Sequence, residues 1–200
     1  TVIDALLEVA SRPYTFAEPL LQELGTQRRL ILVTAHRRES FGEPFREMCR
    51  AMRDLARANP DVEILYPVHP NPNVRRVTSE ILEGEERIHL IEPLPYVPFV
   101  HLLKKSFLVL TDSGGIQEEA PSLGKPVLVM REVTERPEAI AAGTAKLVGN
   151  RYDGIVESVQ LLLDDPQAYA AMANAVNPYG DGRAAQRIAD HLEQLGENKR

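Results

Sequence analysis

The sequence predicts an α/β fold, a Rossmann-like doubly wound parallel sheet of about six strands with helices on both faces. Short aliphatic runs alternate with helical segments along the chain, as expected for βαβ units with parallel strands and right-handed crossovers. Turn-forming and charged residues directly follow several of these runs, at the strand ends where open α/β sheets bind ligands. The length of 200 residues suits one large domain.

Six aliphatic runs have the length and composition of buried strands. They are residues 30–34, 62–66, 88–91, 107–111, 127–130 and 146–148. Pro44 indicates the first turn of a long helix, and Gly124 has the position of a left-handed residue that ends a helix. The predicted helices are residues 1–10, 19–24, 44–58, 73–83, 98–105, 116–123, 154–163, 166–176 and 183–195, with a further one beginning near Pro137.

Composition argues against several classes of protein. The 23 basic and 29 acidic residues give a net charge of −6, which disfavours a nucleic-acid surface. No apolar run approaches the roughly 18 residues of a membrane span, and Asp4 and Glu8 disfavour a signal peptide. Cys49 is the only cysteine, lies in a helical pattern and is expected in the core, which fits a reducing cytoplasm.

The most informative stretch runs from residue 107 to residue 138. A predicted strand is followed by Asp112, Ser113, Gly114 and Gly115, and then by a short helix. The two glycines allow a ligand to approach the backbone closely, and the free N–H groups of the first helical turn favour an anion. The natural ligand of such a site is a phosphate or a diphosphate.

Charged residues in the same stretch extend this prediction. Glu118 and Glu119 follow the glycines and could accept hydrogen bonds from a ribose diol, while Arg131 and Arg136 follow the next strand and suit phosphate oxygens. A simpler interpretation is a tight turn with Ser113 as the N-cap and two glutamates that complement the helix dipole. The combination of glycines, carboxylates and arginines favours a nucleotide-diphosphate site.

Four segments resemble one known family, the non-hydrolysing UDP-N-acetylglucosamine 2-epimerases. They are TAHRRESFGEPF (34–45), YPVHPNPNV (66–74), DSGGIQEEAPSLGKPVLVMREVTERPE (112–138) and NPYGDGRAAQRI (177–188). The resemblance runs over essentially the whole chain but covers only the carboxyl-terminal half of a family member. It implies one half of a GT-B architecture, in which two Rossmann-like domains enclose the active cleft.

The resemblance implies a domain organisation. Residues 1–27 would be linker helices from an amino-terminal domain, residues 28–182 the UDP-binding domain, and residues 183–200 a carboxyl-terminal helix that packs toward the amino-terminal domain. The implied reaction is the reversible 2-epimerisation of UDP-N-acetylglucosamine to UDP-N-acetylmannosamine by elimination and re-addition of UDP. The proton-transfer carboxylates would belong to the other domain, so these 200 residues alone are expected to bind UDP weakly and to be inactive.

The resemblance also implies residue roles. His36 would face the catalytic cleft, and Arg37 would help Arg38 to bind UDP-sugar. Arg37 and His69 would also contribute to a second, regulatory UDP-sugar site. The residues expected to bind UDP are Arg38, Phe99, Ser113, Gly114, Gly115, Glu119 and Arg136. Simpler alternatives remain for three of these features: a solvated loop with internal ion pairs around His36, a packed histidine in a proline-rich loop for His69, and a core phenylalanine for Phe99.

The expected assembly is a cytoplasmic homodimer that needs no cofactor. No motif indicates a metal or NAD site, and His89, His101 and His191 have no partner cluster in the sequence. The alternative functions are the donor domain of a GT-B glycosyltransferase, a hydrolysing UDP-N-acetylglucosamine 2-epimerase, and a stand-alone UDP-sugar binding module.

Overall fold

A computed structural model describes residues 1–197 and contains one sheet of six parallel strands. The strands are β1 (Arg29–Thr34), β2 (Val62–Pro67), β3 (Ile88–Ile91), β4 (Leu108–Thr111), β5 (Val127–Val129) and β6 (Ala145–Leu147). Their order is β3-β2-β1-β4-β5-β6, so the order reverses between β1 and β4. Every expected strand is present within one residue at each end, which confirms the predicted doubly wound sheet.

The helices follow the predicted pattern. They are α1 (Val2–Ser11), α2 (Pro19–Glu23), α3 (Glu43–Ala58), α4 (Pro72–Leu82), α5 (Tyr96–Lys105), α6 (Gly114–Glu119), α7 (Pro137–Ala141), α8 (Tyr152–Asp164), α9 (Pro166–Ala173) and α10 (Ala184–Glu197). The predicted helix 116–123 is divided into α6 and a 3-10 turn at Ala120–Leu123. Pro121 explains the division, because proline lacks the N–H that would continue the α-helical bonding.

The two faces of the sheet form separate cores. Successive residues of β1 point to opposite faces, so Ile31 and Val33 join one cluster while Leu30 and Leu32 join the other, each at most 1% exposed. Helices α3, α4 and α8 cover the first face, and α2, α5 and α6 cover the second. Fully burying one large aliphatic side chain stabilises the fold by about 1.5–3 kcal/mol.

Helix α3 shows how the amphipathic pattern is used. Phe45, Met48, Met52 and Leu55 recur at helical spacing and are all buried against the first face. Cys49 lies on the same face, as expected, and its burial raises the pKa of the thiol to about 12.

The first helix packs on the domain through a small third cluster. Ile3, Leu6 and Ala10 of α1 contact Val100 of α5. In addition, Asp4 accepts a hydrogen bond of 2.7 Å from the backbone N–H of Ala185, so α1 caps the first turn of α10. The two ends of the described chain are therefore held side by side.

Two further predictions concern the carboxyl-terminal segment and the absence of a membrane span. The last residues of the predicted carboxyl-terminal segment, 198–200, lie outside the described part of the chain. Among the residues that are described, no helix has both the length and the apolar character needed to cross a membrane.

Candidate functional site

The site lies where β2, β1 and β4, three neighbours in the sheet, reach its carboxyl edge. His36 and Arg37 follow β1, His69 follows β2, and Ser113 follows β4. Parallel strands end at the same edge, so these loops come together, and the reversal of strand order between β1 and β4 opens a crevice there. The predicted residues are therefore grouped by the topology of the sheet.

Asp112 joins the loops that follow β1 and β4. Its side chain is fully buried, and Oδ2 accepts hydrogen bonds of 2.7 Å from the backbone N–H groups of both His36 and Arg37. Its other oxygen, Oδ1, lies 3.5 Å from His36 Nδ1. The sequence placed Asp112 at the start of the predicted turn but indicated no role for it. The available signal was a single acidic residue directly after a strand predicted to be buried.

Two arginines converge on the backbone of Gly114. A Cβ atom placed on this glycine would lie 3.9 Å from the Arg136 guanidinium carbon and 4.0 Å from Arg37 Nη2. Ser113 occupies the predicted N-cap position of α6, but its hydroxyl makes no capping hydrogen bond with the described residues. Two guanidinium groups thus lie close to a backbone position that carries no side chain.

Arg136 is held by three neighbours. Its Nε donates to Glu118, its Nη1 donates to the backbone oxygen of Glu135 at 3.0 Å, and its backbone N–H donates to Thr134 Oγ1 at 3.0 Å. The hydrogen bond to Glu118 raises the pKa of Arg136. Glu118 is therefore the partner of an arginine in this structure, and a hydrogen bond from a ribose to Glu118 stays a prediction.

The two glutamates are also not placed to complement the dipole of α6, as the simpler interpretation expected. Glu118 and Glu119 lie at the end of α6, and its first turn contains no acidic residue. Burial, followed by the charge of Glu118, raises the pKa of Glu119. Among the described residues none donates a hydrogen bond to the Glu119 carboxylate, which leaves its oxygens available as acceptors.

Arg131 has a different place from the one expected. Its side chain is only 5% exposed, with Nε donating to Glu39 at 2.7 Å and Nη1 donating to Glu135. Glu135 in turn lies 3.6 Å from Arg37. The prediction that Arg131 faces a ligand is wrong, because both sides of its guanidinium are taken by carboxylates.

These contacts form a chain of ion pairs that ends at the site. The hydrogen bond from Arg131 lowers the pKa of Glu135 to about 2, with a smaller contribution from Arg37. The chain Glu39–Arg131–Glu135–Arg37 joins the loop after β1 to the loop after β5. The predicted ion pairs around His36 exist, but they connect two loops and are not internal to one.

Gln117 and Thr134 fix the loop after β5 to α6. Gln117 is fully buried, its Nε2 donates to the Ser113 backbone oxygen at 3.1 Å, and its Oε1 accepts from Thr134 Oγ1 at 2.6 Å. Neither residue was singled out in the sequence, because a neutral amide and a hydroxyl carry no local sign of such a role. Together they set the distance between Arg136 and Gly114.

A pocket of about 220 Å³ opens beside the two histidines. The rings of His36 and His69 are stacked, with centroids 5.2 Å apart and planes 9° apart. The pocket is lined by Thr34, Ala35, His36, Pro67, His69, Pro93, Leu94, Phe99, Ser113 and Ile116. Its largely apolar walls suit a flat ring.

Phe99 and Arg38 differ in how they relate to this pocket. Phe99 packs against the second core, as the simpler alternative expects, and it also lines the pocket. Its role in binding UDP stays a prediction. Arg38 is exposed on a 3-10 turn, and its guanidinium forms no ion pair with the residues that the structure describes. Its role in binding stays a prediction.

Comparisons with known proteins give matches over nearly the whole chain. The family model described as UDP-N-acetylglucosamine 2-epimerase matches residues 1–193. The UDP-N-acetylglucosamine 2-epimerase of Escherichia coli K12 is 52% identical over 200 residues, which is 96% of this chain and 53% of that protein. The family resemblance inferred from four segments of the sequence is thereby confirmed.

Solved structures give the same result. A structure of S. aureus MnaA with UDP has a TM-score of 0.90 and 44% identity, and the match covers 98% of this chain and 53% of that one. A UDP-GlcNAc 2-epimerase from Neisseria meningitidis bound to UDP-GlcNAc has a TM-score of 0.86 and 45% identity, covering 97% and 54%. The chain spans about half the length of the relatives it matches.

Proposed function

Because the chain belongs to the UDP-N-acetylglucosamine 2-epimerase family, we propose that it supplies the UDP-binding half of an enzyme that interconverts UDP-N-acetylglucosamine and UDP-N-acetylmannosamine. The observation that carries this proposal is the approach of Arg37 and Arg136 to the Gly114 backbone. One guanidinium group can donate to two phosphate oxygens at once. Because glycine has no side chain, the phosphate oxygens can also reach the backbone N–H groups. This arrangement fits a diphosphate better than a single carboxylate.

The remaining predicted residues have places consistent with the rest of a UDP molecule. Phe99 and the proline-rich walls of the pocket could hold a pyrimidine ring, while the Glu119 carboxylate could accept hydrogen bonds from the ribose. Ser113, Gly115 and Arg38 are proposed as further contacts to the nucleotide.

The chemical contribution of this half would be to the leaving group. In the proposed reaction a base removes the C2 proton while the C1–O bond to UDP breaks, which gives a glycal and UDP. Re-addition of UDP with a proton on the opposite face completes the epimerisation. As negative charge develops on the diphosphate, Arg136 and the N–H groups beside Gly114 and Gly115 would stabilise it.

His36 is proposed to lie in the catalytic cleft. Histidine suits proton transfer near neutral pH, and His36 lies next to Asp112 and lines the apolar pocket. Arg37 and His69 remain proposed ligands of a second, regulatory UDP-sugar. Since His69 stacks on His36, that second sugar nucleotide would bind directly beside the first.

The other half of the enzyme would pack against the ends of this chain. Helix α10 exposes Ile188, Leu192 and Leu195 at helical spacing, with 52%, 61% and 46% of each residue accessible. We place the amino-terminal domain on this stripe, with residues 1–27 as the connection and with the proton-transfer carboxylates in that domain. The whole enzyme is proposed to be a cytoplasmic homodimer in the biosynthesis of cell-envelope polysaccharides.

The test is a calorimetric titration of UDP into the 200-residue chain and into Arg136→Ala and Glu119→Ala variants. Binding that weakens about tenfold or more in both variants is expected, since each removes a charged contact. Arg57→Ala is the matched control, because Arg57 pairs with Glu85 near the amino end of β2, at the opposite edge of the sheet. Equal affinity in all four proteins would refute the placement of UDP.

Activity requires the longer protein. Epimerisation, followed by NMR of the sugar anomeric protons, is expected only when the amino-terminal domain is present. Release of free N-acetylmannosamine would instead identify a hydrolysing epimerase, and transfer of the sugar to an added acceptor would identify a glycosyltransferase.

A further inference from the structure

One carboxylate oxygen of Asp112 lies next to the ring of His36. Oδ2 is occupied by the backbone N–H groups of His36 and Arg37, whereas Oδ1 is buried and makes no hydrogen bond with the described residues. The only basic nitrogen paired with Oδ1 in the described part of the chain is His36 Nδ1, at 3.5 Å. A buried carboxylate oxygen is stabilised by a donor, so the proton of the neutral imidazole belongs on Nδ1.

The neighbouring histidine has the opposite arrangement. His69 Nδ1 accepts a hydrogen bond of 3.1 Å from the backbone N–H of Asn71, so this nitrogen carries no proton in the neutral ring. The proton of His69 is therefore on Nε2. Pro67 at the end of β2, Pro70 in the following loop and Pro72 at the start of α4 restrict the backbone and keep this contact in place.

We propose that Asp112 is a positioning residue that holds His36 as the Nδ1–H tautomer, so that the stacked pair offers His36 Nε2 as an acceptor and His69 Nε2–H as a donor. The two rings line one pocket and lie nearly parallel, 5.2 Å apart. A ligand group that both donates and accepts, such as a hydroxyl or an amide, is the chemical class that such a pair recognises.

The consequence for catalysis rests on the proposed function. A free Nε2 can take a proton from the ligand, and the adjacent Asp112 carboxylate then stabilises the imidazolium that forms. The opposite tautomer would present an N–H at the same point and could not accept a proton. The tautomer itself is a property of the ligand-free chain and does not depend on UDP.

The test reads the tautomers directly from long-range ¹H–¹⁵N correlations of the 200-residue chain with ¹⁵N-labelled histidine. The spectra are recorded at about pH 8.5, roughly two units above the ordinary histidine pKa, so that neutral rings dominate. His36→Gln and His69→Gln variants assign the two signals. We expect the Nδ1–H pattern for His36 and the Nε2–H pattern for His69. An Nε2–H pattern or an equal mixture for His36 in the unsubstituted chain would overturn the proposal.

Asp112→Asn supplies a second reading. In this variant the amide oxygen of the new side chain would accept the two backbone N–H bonds, and its NH₂ group would then face His36 Nδ1, which drives the ring to the Nε2–H tautomer. An unchanged Nδ1–H pattern in this variant would also overturn the proposal. Asp61→Asn, at the amino edge of the sheet, is the control and should change neither histidine. If Asp112→Asn does not fold, the reading from the unsubstituted chain decides alone.

A titration of UDP into the same sample separates the two proposals. The Nδ1–H pattern without UDP binding would leave the role of Asp112 intact and contradict the proposed function. UDP binding together with the Nε2–H tautomer of His36 would support the proposed function and contradict the role of Asp112.

Discussion

Arg131 donates a hydrogen bond of 2.7 Å to Glu39, a residue 92 positions earlier in the chain. The same guanidinium also binds Glu135, whose carboxylate faces Arg37. Arg131 therefore helps to hold Arg37 near Gly114, although Arg131 itself is bonded to two carboxylates. A buried arginine that acts through a carboxylate on a second arginine is the clearest case of long-range organisation in this fold.

Replacing Arg131 by methionine should weaken UDP binding about five- to tenfold, because Glu135 loses its main partner and pairs more closely with Arg37. Calorimetry of Arg131→Met, Arg37→Ala and the double variant measures the effect. If Arg131 acts through Arg37, the loss caused by Arg131→Met should largely vanish when Arg37 is already alanine. Fully additive losses would contradict this route.

The contrast between β1 and Arg131 explains what the sequence could predict. The strands were found because their residues are buried on both faces, and an unbroken aliphatic run records that burial locally. The position of Arg131 after β5 was also predicted correctly. The direction of the Arg131 side chain was not predicted, because the Glu39 carboxylate that binds it belongs to a loop far away in the chain. No local sequence pattern indicates such a partner.

The same reasoning applies to the site. Ser113, Gly114 and Arg136 were predicted from a glycine turn and a nearby arginine, and the structure brings them together. No role was predicted for Asp112 or Gln117, because their roles arise only when two loops meet. The sheet order β2-β1-β4, which causes that meeting, follows from packing of the whole chain.

Gly154 has no room for a side chain. A Cβ atom there would lie 2.3 Å from the backbone oxygen of Val148, where α8 passes the end of β6. Although alanine normally favours a helix over glycine, Gly154→Ala should lower the free energy of unfolding by about 1–3 kcal/mol through overpacking. Urea denaturation measures the loss.

Gly84→Ala is the control for that experiment. Gly84 has a φ of +83° with open space around it, so alanine there brings backbone strain of roughly 1 kcal/mol and no clash. A Gly154→Ala variant as stable as the unsubstituted chain would show that α8 can move away from Val148.

His101 should make the fold less stable in acid. It is 8% exposed, stacks on Tyr14, and has its pKa lowered by burial and then by Lys104. The unfolded chain, with an ordinary histidine pKa of about 6.5, therefore binds the proton more readily than the folded chain. Stability from this residue is complete above that pH and decreases as pH falls toward the lowered folded pKa.

The expected contribution of His101 is at most about 1.4 kcal/mol per pH unit within that window. His101→Gln should flatten the dependence of unfolding free energy on pH between about 7.5 and 5.5, since glutamine does not titrate. Some slope should persist, because burial also lowers the pKa of His89. His191→Gln, an exposed position on α10, is the control. An identical slope in the His101 variant would contradict the prediction.

Gly114 gives the most direct test of the anion site. In the ligand-free fold a methyl group at this position would meet its neighbours only at 3.9–4.0 Å, an ordinary contact distance, and φ is not in the left-handed region. The fold therefore does not require glycine there, whereas a diphosphate that approaches the backbone does. Gly114→Ala should unfold at the same urea concentration as the unsubstituted chain or higher.

The deciding measurement is UDP binding by Gly114→Ala, made by calorimetry on samples whose unfolding curves have been recorded. We predict a loss of affinity of at least tenfold with stability retained, because the methyl group occupies the space between Arg37, Arg136 and the backbone N–H groups. Unchanged UDP affinity in a stable Gly114→Ala variant would mean that the diphosphate does not bind at this turn and that the proposed UDP site is wrong.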